Sequence, residues 1–189
     1  MRVKTNLEYS IFQHENPFAQ RHPYKTEEFS DKYFIFTPER TLKMRNGEEL
    51  KFKELLRRDG QVDVWNNTMF HNAPHNDALS SFLEVNNLVT ILNEKGIVVV
   101  KKRLAYRTET TTIHYCEFLL ENERGTNLTV SARDAEHIMR EIEKLGIKQR
   151  NKSFGEYIAE HVARQNQRTV RSKETGDSVQ NRSWASPAY

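Results

Sequence analysis

Three consecutive runs of alternating apolar and polar residues constrain the fold of this chain more than any other feature. They read GIVVVKKRLAYR, TTIHYCEFLLEN and NERGTNLTVS, and together they span residues 96–131. A period of two places successive side chains on opposite faces of a strand. The runs therefore predict a three-stranded antiparallel meander, with turns near 108–110 and 123–125.

The two turns of this meander can be checked against each other. A three-residue loop at 123–125, with Gly125 in its third position, sets the pairing of the second and third strands. A loop of odd length at 108–110 then sets the pairing of the first and second strands. Together the two loops align the apolar ladders Val98/Leu120/Leu128 and Val100/Phe118/Val130 on one face. We expect that apolar face to be buried.

Two helices are predicted from apolar residues at helical spacing. In SARDAEHIMREIEKLGI, Ser131 is placed to cap the first turn and a glycine ends the apolar stripe. We expect this capping helix to span 131–145 and to cover the meander. A longer amphipathic helix is predicted over 78–95, ending at Gly96.

The first half of the chain predicts a second sheet. Residues 33–36 and 62–65 are typical of strands, and 41–52 of a hairpin. A three-residue loop at 45–47, with Gly47 in the left-handed conformation, keeps the apolar residues of this hairpin on one face. The sequence therefore predicts an α+β domain with about seven mostly antiparallel strands, divided between this hairpin sheet and the meander.

Two resemblances follow from the order of these elements. A three-stranded meander followed by a C-terminal helix resembles the end of a pleckstrin-homology-like barrel. Alternatively, NNLVTILNEKGIVVVKKRLAYRTETTTIHYCEFL looks like the recognition helix and two-stranded wing of winged-helix DNA-binding proteins. That alternative implies nucleic-acid contacts by Lys101, Lys102, Arg103 and Arg107.

Composition divides the chain into four segments. Residues 1–30 form an aromatic-rich arm, 31–146 the α+β domain, 147–166 a docking helix and 167–189 a basic tail. The formal net charge is +3, and residues 147–189 hold eight Lys and Arg against four Asp and Glu. The tail has almost no aliphatic residues, so we expect it to be disordered in the free protein.

One candidate metal site stands out in FHNAPHNDALSSF. His71, His75 and Asp77, with His114 further on, are residue types that bind zinc or iron and would suit a metal-dependent hydrolase. However, Pro74 makes a continuous helix through the two histidines unfavourable, so their four-residue spacing does not align them on one face. Asp77 is also placed to cap the following helix. The sequence therefore favours a helix start here and predicts no metal site.

The chain lacks the common catalytic and nucleotide-binding motifs. It contains no GxGxxG, GxxxxGK[ST] or GxSxG pattern, and its single cysteine, Cys116, is predicted to be an inert core residue. These features predict a non-enzymatic binding and assembly protein without a cofactor, as a component of a larger complex such as a virion or phage particle. Nucleic-acid binding through the wing or the tail remains an alternative function.

The assembly hypothesis names the residues that would contact partners. We expect protein partners to order both termini, with nucleic acid as a further candidate partner and self-association left open. The aromatic anchors would be Phe12, Phe18, Tyr24, Phe154 and Tyr157. The basic contacts in the tail would be Arg164, Arg168, Arg171, Lys173 and Arg182. The start of the chain lacks the apolar run of a signal peptide and no stretch is long enough to span a membrane, so we expect a location in the cytoplasm or in a virion.

Overall fold

A computed structural model describes residues 1–72, 77–86, 88 and 96–177. Over these residues the chain forms eight strands and three helices. The strands are β1 (Arg2–Phe12), β2 (Lys25–Thr37), β3 (Arg40–Arg45), β4 (Glu49–Asp59), β5 (Val62–Phe70), β6 (Ile97–Arg107), β7 (Thr111–Leu120) and β8 (Glu123–Ala132). The helices are α1 (Asp77–Val85), α2 (Ala135–Lys144) and α3 (Phe154–Asp177). None of these helices is long and apolar enough to cross a membrane.

The eight strands close into one antiparallel barrel, in the order β1-β5-β4-β3-β2-β6-β7-β8. Strand β1 completes the barrel because it pairs with β5 on one side and with β8 on the other, so that Leu7 lies opposite both Val64 and Ala132. The predicted arm at 1–30 contains this strand and the first part of β2. The predicted α+β fold with two separate sheets is therefore wrong, and so are the pleckstrin-homology-like and winged-helix alternatives. The β6–β7 hairpin is part of the barrel wall rather than a wing.

Apolar side chains point outward from the barrel wall and are buried beneath the helices. Helix α2 packs Ile138 and Ile142 on one side of the wall, against a cluster that includes Tyr9, Ile113 and Val130. Helix α1 covers a second patch, made by Leu42, Leu50, Phe52 and Phe70. Burial of these apolar surfaces stabilises the fold from outside the barrel. The alternate, inward-facing residues of the same strands are free to be polar.

One end of the barrel is closed by α3. Its residues Phe154, Tyr157 and Ile158 pack against inward-facing aromatic and aliphatic side chains. The rings of Phe12 and Tyr157 are stacked with centroids 4.2 Å apart, and Phe118 meets Phe154 at 5.2 Å. The helix continues to Asp177, into the segment predicted as a tail, whereas 178–189 lie outside the described residues.

The predicted registers of the meander are wrong. Val99, not Val98, pairs with Leu120. The β7–β8 turn contains only residues 121 and 122, so Leu120 pairs with Glu123 rather than with Leu128. Glu121 adopts the left-handed conformation in this turn, with φ of 54°. The prediction assigned that role to Gly125, which lies in extended β8 instead.

The β3–β4 hairpin partly agrees with its prediction. Gly47 is left-handed, with φ of 75°, which confirms that part of the prediction. The loop nevertheless lies at 46–48 rather than 45–47, because Arg45 pairs with Glu49 and Leu42 with Phe52. Although the loop is displaced by one residue, apolar residues of β3 still lie opposite apolar residues of β4, so the apolar face of the hairpin is the predicted one.

The predicted helix boundaries also change. Helix α1 ends at Val85, and most of the remaining residues predicted as helix, 87 and 89–95, lie outside the described residues. Helix α2 begins at Ala135 and is capped by Asp134, whose carboxylate accepts a hydrogen bond from the His137 backbone N–H at 2.9 Å. Ser131 lies within β8 instead.

Gly125 is needed where β8 faces the closed end of the barrel. A Cβ atom at this position would lie 2.4 Å from Cζ of Phe118. The Phe118 ring is itself held by Phe12 and Phe154, at centroid distances of 6.1 and 5.2 Å. We expect Gly125→Ala to reduce the free energy of unfolding by about 1–3 kcal/mol in urea denaturation. Asn122 is exposed in the same hairpin, so Asn122→Ala should change the free energy of unfolding by less than about 0.5 kcal/mol. Equal losses of stability in the two variants would contradict the steric explanation.

Candidate functional site

The interior of the barrel holds a polar cavity of about 1010 Å³. Its walls carry nine Lys and Arg side chains but four Asp and Glu side chains. The cations are Lys4, Lys43, Arg45, Lys51, Lys53, Lys101, Arg103, Arg107 and Arg133, and the acids are Glu8, Asp31, Asp63 and Glu109. A cavity with an excess of one charge and low-dielectric walls concentrates ions of the opposite charge. The cavity is therefore suited to bind an anion with several negative charges.

The centre of the cavity is organised by Asp31, whose side chain is completely buried. Its carboxylate accepts hydrogen bonds from Lys43 at 2.8 Å and from Arg45 at 2.9 Å. Lys101 lies 3.4 Å away and donates a hydrogen bond of 2.6 Å to the hydroxyl of Tyr33. One carboxylate thus orients three cations, and two positive charges in this Asp31 cluster are not neutralised within it.

The titration of the Asp31 cluster reflects burial and mutual attraction. Burial lowers the pKa of Lys43 from 10.5 to about 7 and that of Lys101 to about 8, although Asp31 opposes both shifts. Burial alone would raise the pKa of Asp31, but the charges of Lys43 and Lys101 and the hydrogen bond from Arg45 hold it well below its ordinary value. Asp31 is therefore ionised at neutral pH, while the two lysines gain protons readily when a further negative charge arrives.

Lys51 differs from the paired cations at the centre of the cavity. It lies on β4 opposite Lys43 of β3, and it makes no hydrogen bond or ion pair with any residue in the described part of the chain. Its neighbour two positions on, Lys53, donates a hydrogen bond of 2.6 Å to Glu8. Burial, with the nearby charges of Lys43 and Lys53, lowers the pKa of Lys51 to about 7. An unpaired, half-buried ammonium group is unfavourable unless a ligand supplies the missing negative charge.

A second group of cations lies around Phe29. The guanidinium groups of Arg45 and Arg103 are 3.9 and 5.1 Å from the centre of its ring. Arg103 also donates hydrogen bonds to Glu27, whose pKa falls to about 2 because the hydrogen bonds from Lys25 and Arg103 outweigh the effect of burial. These contacts fix the Arg103 side chain against the cavity wall.

Strands β7 and β8 contribute neutral polar groups. Burial and the charge of Arg103 lower the pKa of His114 to about 4, so the imidazole is neutral at pH 7. Burial raises the pKa of the Cys116 thiol. Cys116 is buried as predicted, but it lines the polar cavity rather than an apolar core. Ser10 and Thr129 share a hydrogen bond of 2.8 Å across the β1–β8 seam. The neutral wall thus faces the cationic wall across the cavity.

The predicted basic contact residues are distributed between the interior and the surface. Lys101 and Arg103 lie inside the barrel, and Arg107 lines the cavity mouth, where its guanidinium is 4.9 Å from the Tyr24 ring. Lys102 is exposed on the outer wall. On α3, Arg164 and Arg168 are exposed, Arg171 and Lys173 lie within the helix, and Arg182 is outside the described residues.

The predicted aromatic anchors are mostly used within this chain. Phe12, Phe154 and Tyr157 pack together at the closed end of the barrel. Phe18 is buried against Tyr106, with ring centroids 5.0 Å apart. Tyr24 is half exposed at the mouth of the cavity. Contact of these residues with a partner stays a prediction.

Metal-ligating residues do not converge in the described part of the chain. No group of three or more His, Cys, Asp or Glu side chains there could hold a metal ion. His114 lies inside the barrel, His71 follows β5 with its Nδ1 3.4 Å from Glu49, and His75 lies outside the described residues. Asp77 is the first residue of α1. The described residues therefore do not bring His71, Asp77 and His114 together as the metal-dependent hydrolase alternative requires.

Sequence reasoning missed Asp31 and the lysines of the β3–β4 hairpin. The signal was present in TLKMRNGEELKFK, where Lys43, Arg45, Lys51 and Lys53 alternate with apolar residues. The predicted hairpin uses that alternation only to place its apolar residues on one face. In a closed barrel whose outer face is covered by helices, the polar face lines the interior instead.

Solved structures share this fold at low sequence identity. A Bacillus halodurans protein described as a candidate adenylate cyclase matches 81% of this chain and 96% of its own length, with a TM-score of 0.60 and 11% identity. A Hippeastrum protein described as a candidate adenylyl cyclase with a dominant triphosphatase activity matches 79% of this chain and 91% of its own, with a TM-score of 0.53 and 10% identity. A conserved hypothetical protein of Pyrococcus furiosus matches 77% and 94%, with a TM-score of 0.50 and 20% identity. No protein-family model and no curated protein sequence matches the chain.

The comparisons correct the functional predictions. The sequence favoured a non-enzymatic assembly protein of a virion or phage particle. The structures that share its closed barrel instead include proteins described by cyclase and triphosphatase activities. The prediction that the chain is not an enzyme is corrected by the same finding. The nucleic-acid alternative depended in part on a wing, and those strands belong to the barrel wall.

Proposed function

We propose that this chain is an enzyme that binds a linear triphosphate inside the barrel and hydrolyses it. The observation that carries the proposal is the excess of cations in the cavity, with Lys51 unpaired beside Lys43 and Lys53. Phosphate groups are the biological anions that several Lys and Arg side chains bind together through charge-assisted hydrogen bonds. A chain of linked phosphates presents such groups in a row, and the cations here follow one wall of the barrel.

The solved structures with the same fold support this choice of ligand. One is described as a candidate adenylate cyclase and another by a dominant triphosphatase activity. A cyclase and a triphosphatase both act on a triphosphate chain. The polar interior of this barrel supplies, on residues of its own, the charge that such a ligand requires.

The chemistry of hydrolysis matches what these residues can do. Water attacks the terminal phosphorus and the bond to the bridging oxygen breaks. Orthophosphate forms, negative charge grows on the leaving diphosphate group, and the proton of the water passes to solvent. Fixed cations around that charge lower the barrier mainly by electrostatic stabilisation and positioning. Arg45 and Lys101 are fixed by Asp31 and Tyr33, and Lys51 can complete the set. Closure of one end by α3 limits entry to the open mouth near Tyr24 and Arg107.

Phosphate release from inorganic tripolyphosphate and from ATP tests the proposal. We expect Lys51→Met to lower kcat/KM by about 10- to 100-fold, the effect of removing one hydrogen bond from a charged group. Lys102→Met, one strand position from Lys101 on the outer wall, is the matched control and should stay within about twofold of the wild type. Absence of hydrolysis of both substrates by the wild-type protein would falsify the proposed activity.

A further inference from the structure

We infer that this chain binds its polyphosphate as the free polyanion, without a divalent metal ion. The inference rests on the proposed function and concerns the form in which the ligand enters the same cavity. Phosphate-transferring enzymes commonly hold Mg²⁺ between carboxylates and phosphate oxygens, so that the metal neutralises the phosphates. The residues of this barrel do not fit that arrangement.

The first argument is that the interior carboxylates already bind cations. Asp31 accepts hydrogen bonds from Lys43 and Arg45, and Glu8 accepts one from Lys53 at 2.6 Å. Two further carboxylates near the cavity are engaged in the same way. Glu27 is bonded by Arg103, and Asp63 by Arg58 at 3.1 Å. A metal ion would have to displace a lysine or an arginine from each of these four carboxylates. The remaining acid of the cavity, Glu109, lies between β6 and β7 and belongs to no group of three potential ligands among the described residues.

The second argument is the position of those carboxylates. A magnesium site needs oxygen ligands that converge on one point with near-octahedral geometry. No group of three or more potential ligands occurs among the described residues. On β1 the inward-facing positions are Lys4, Asn6, Glu8 and Ser10, so this strand supplies one acid rather than a pair.

The third argument is electrostatic. Six cations line the central part of the cavity: Lys43, Arg45, Lys51, Lys53, Lys101 and Arg103. Their paired carboxylates are Asp31, Glu8, Glu27 and Glu49, so two positive charges are left to be neutralised when all six cations are protonated. A divalent ion placed beside them would be repelled by like charges in a partly desolvated site. A free polyphosphate neutralises these cations directly, whereas its magnesium complex has already lost part of its negative charge.

Lys51 is the group that takes the role of the metal. Lys51 lies on β4. Its cross-strand neighbour Lys43 belongs to the Asp31 cluster, and Lys53, which binds Glu8, lies two positions further along the same strand. An ammonium group in this position can contact oxygens of two adjacent phosphates, as a bridging cation would. It needs no carboxylate ligands of its own.

Isothermal titration of the full-length protein with inorganic tripolyphosphate separates the two forms of the ligand. We expect binding in the presence of EDTA, and an apparent Kd about tenfold weaker when millimolar MgCl₂ is added, because the metal competes for the ligand. Mn²⁺ titrated alone should show no binding. In EDTA, Lys51→Met should weaken binding by at least about tenfold, and Lys102→Met should leave it unchanged.

Each outcome of this titration has a distinct meaning. Binding in EDTA that is as tight as, or tighter than, binding in MgCl₂ supports the inference. Tripolyphosphate binding that requires MgCl₂, or micromolar binding of Mn²⁺ alone, overturns the inference and leaves the proposed function standing. No binding of tripolyphosphate in either buffer overturns the proposed function itself.

Discussion

Replacement of Asp31 by alanine should lower the free energy of unfolding by about 3–5 kcal/mol, the loss observed when one partner of a buried ion pair is removed. Asp31 is completely buried and contacts Lys43, Arg45 and Lys101, so its removal takes from three buried basic groups the carboxylate that they share. For a chain of this size, that change corresponds to a fall in Tm of roughly 6–20 °C. Thermal and urea denaturation at pH 7.5 measure the effect.

Asp59→Ala is the matched control for this prediction. Asp59 also binds an arginine, Arg57, at 3.0 Å, but both side chains are exposed. Exposed pairs contribute about 0–1 kcal/mol, so the control should unfold almost as the wild type does. Similar losses in the two variants would contradict the central role given to Asp31.

The pH dependence of the Asp31 effect has a definite sign. The pKa of Asp31 in the folded protein lies well below the ordinary value of 3.8 that applies to the unfolded chain. Its contribution to stability is therefore fully present above about pH 4 and is lost as the pH falls below that value. The difference in Tm between the wild type and Asp31→Ala should therefore shrink as the pH falls below about 4.

Much of the strand content could be predicted from alternation, but the direction of the faces could not. The alternation in β6, β7 and β8 predicts strands whether the apolar residues point into a core or outward beneath helices. The structure takes the second arrangement, with Ile113 and Val130 under α2 and Cys116 facing the polar cavity. The one-residue error in the β6–β7 register follows, because the loop was chosen to align the apolar residues of a supposed single face.

The site itself depends on contacts that local patterns do not contain. Lys43 and Lys51 are cross-strand neighbours and could be paired from the hairpin alone. Asp31 and Lys101 meet them only because β2 lies between β3 and β6 in the closed barrel. Glu8 reaches Lys53 because β1 closes the barrel against β5, and β1 belonged to the segment predicted as an arm. The polar alternation of Lys4, Asn6 and Glu8 was the signal for that strand.

Replacement of Lys51 by methionine should have opposite effects on stability and on ligand binding. Burial lowers the pKa of Lys51 from 10.5 to about 7, so at or below pH 7 the charged form is destabilising in the empty protein. Methionine has a similar shape and carries no charge. Each unit of pKa shift represents about 1.4 kcal/mol, and the total is reduced here because Lys51 is partly exposed to solvent. We therefore expect Lys51→Met to raise the free energy of unfolding by about 2 kcal/mol. The corresponding rise in Tm is roughly 4–8 °C.

The sign of this effect reverses at the neighbouring lysine. Lys53→Met removes the partner of Glu8 and leaves that carboxylate buried, so it should destabilise the protein by about 1–3 kcal/mol.

The gain in stability of Lys51→Met over the wild type should depend on pH. It should be largest at or below pH 7 and should fade as the pH rises towards 10.5. In that range Lys51 of the folded protein has already lost its proton, and Lys51 of the unfolded chain loses its own. Thermal denaturation of both variants from pH 6 to 9.5, with and without tripolyphosphate, measures these differences. Saturating tripolyphosphate should stabilise the wild type more than Lys51→Met, since only the wild type gains a partner for its unpaired ammonium group. If Lys51→Met is less stable than the wild type without ligand, the assignment of Lys51 as an unpaired cation is contradicted.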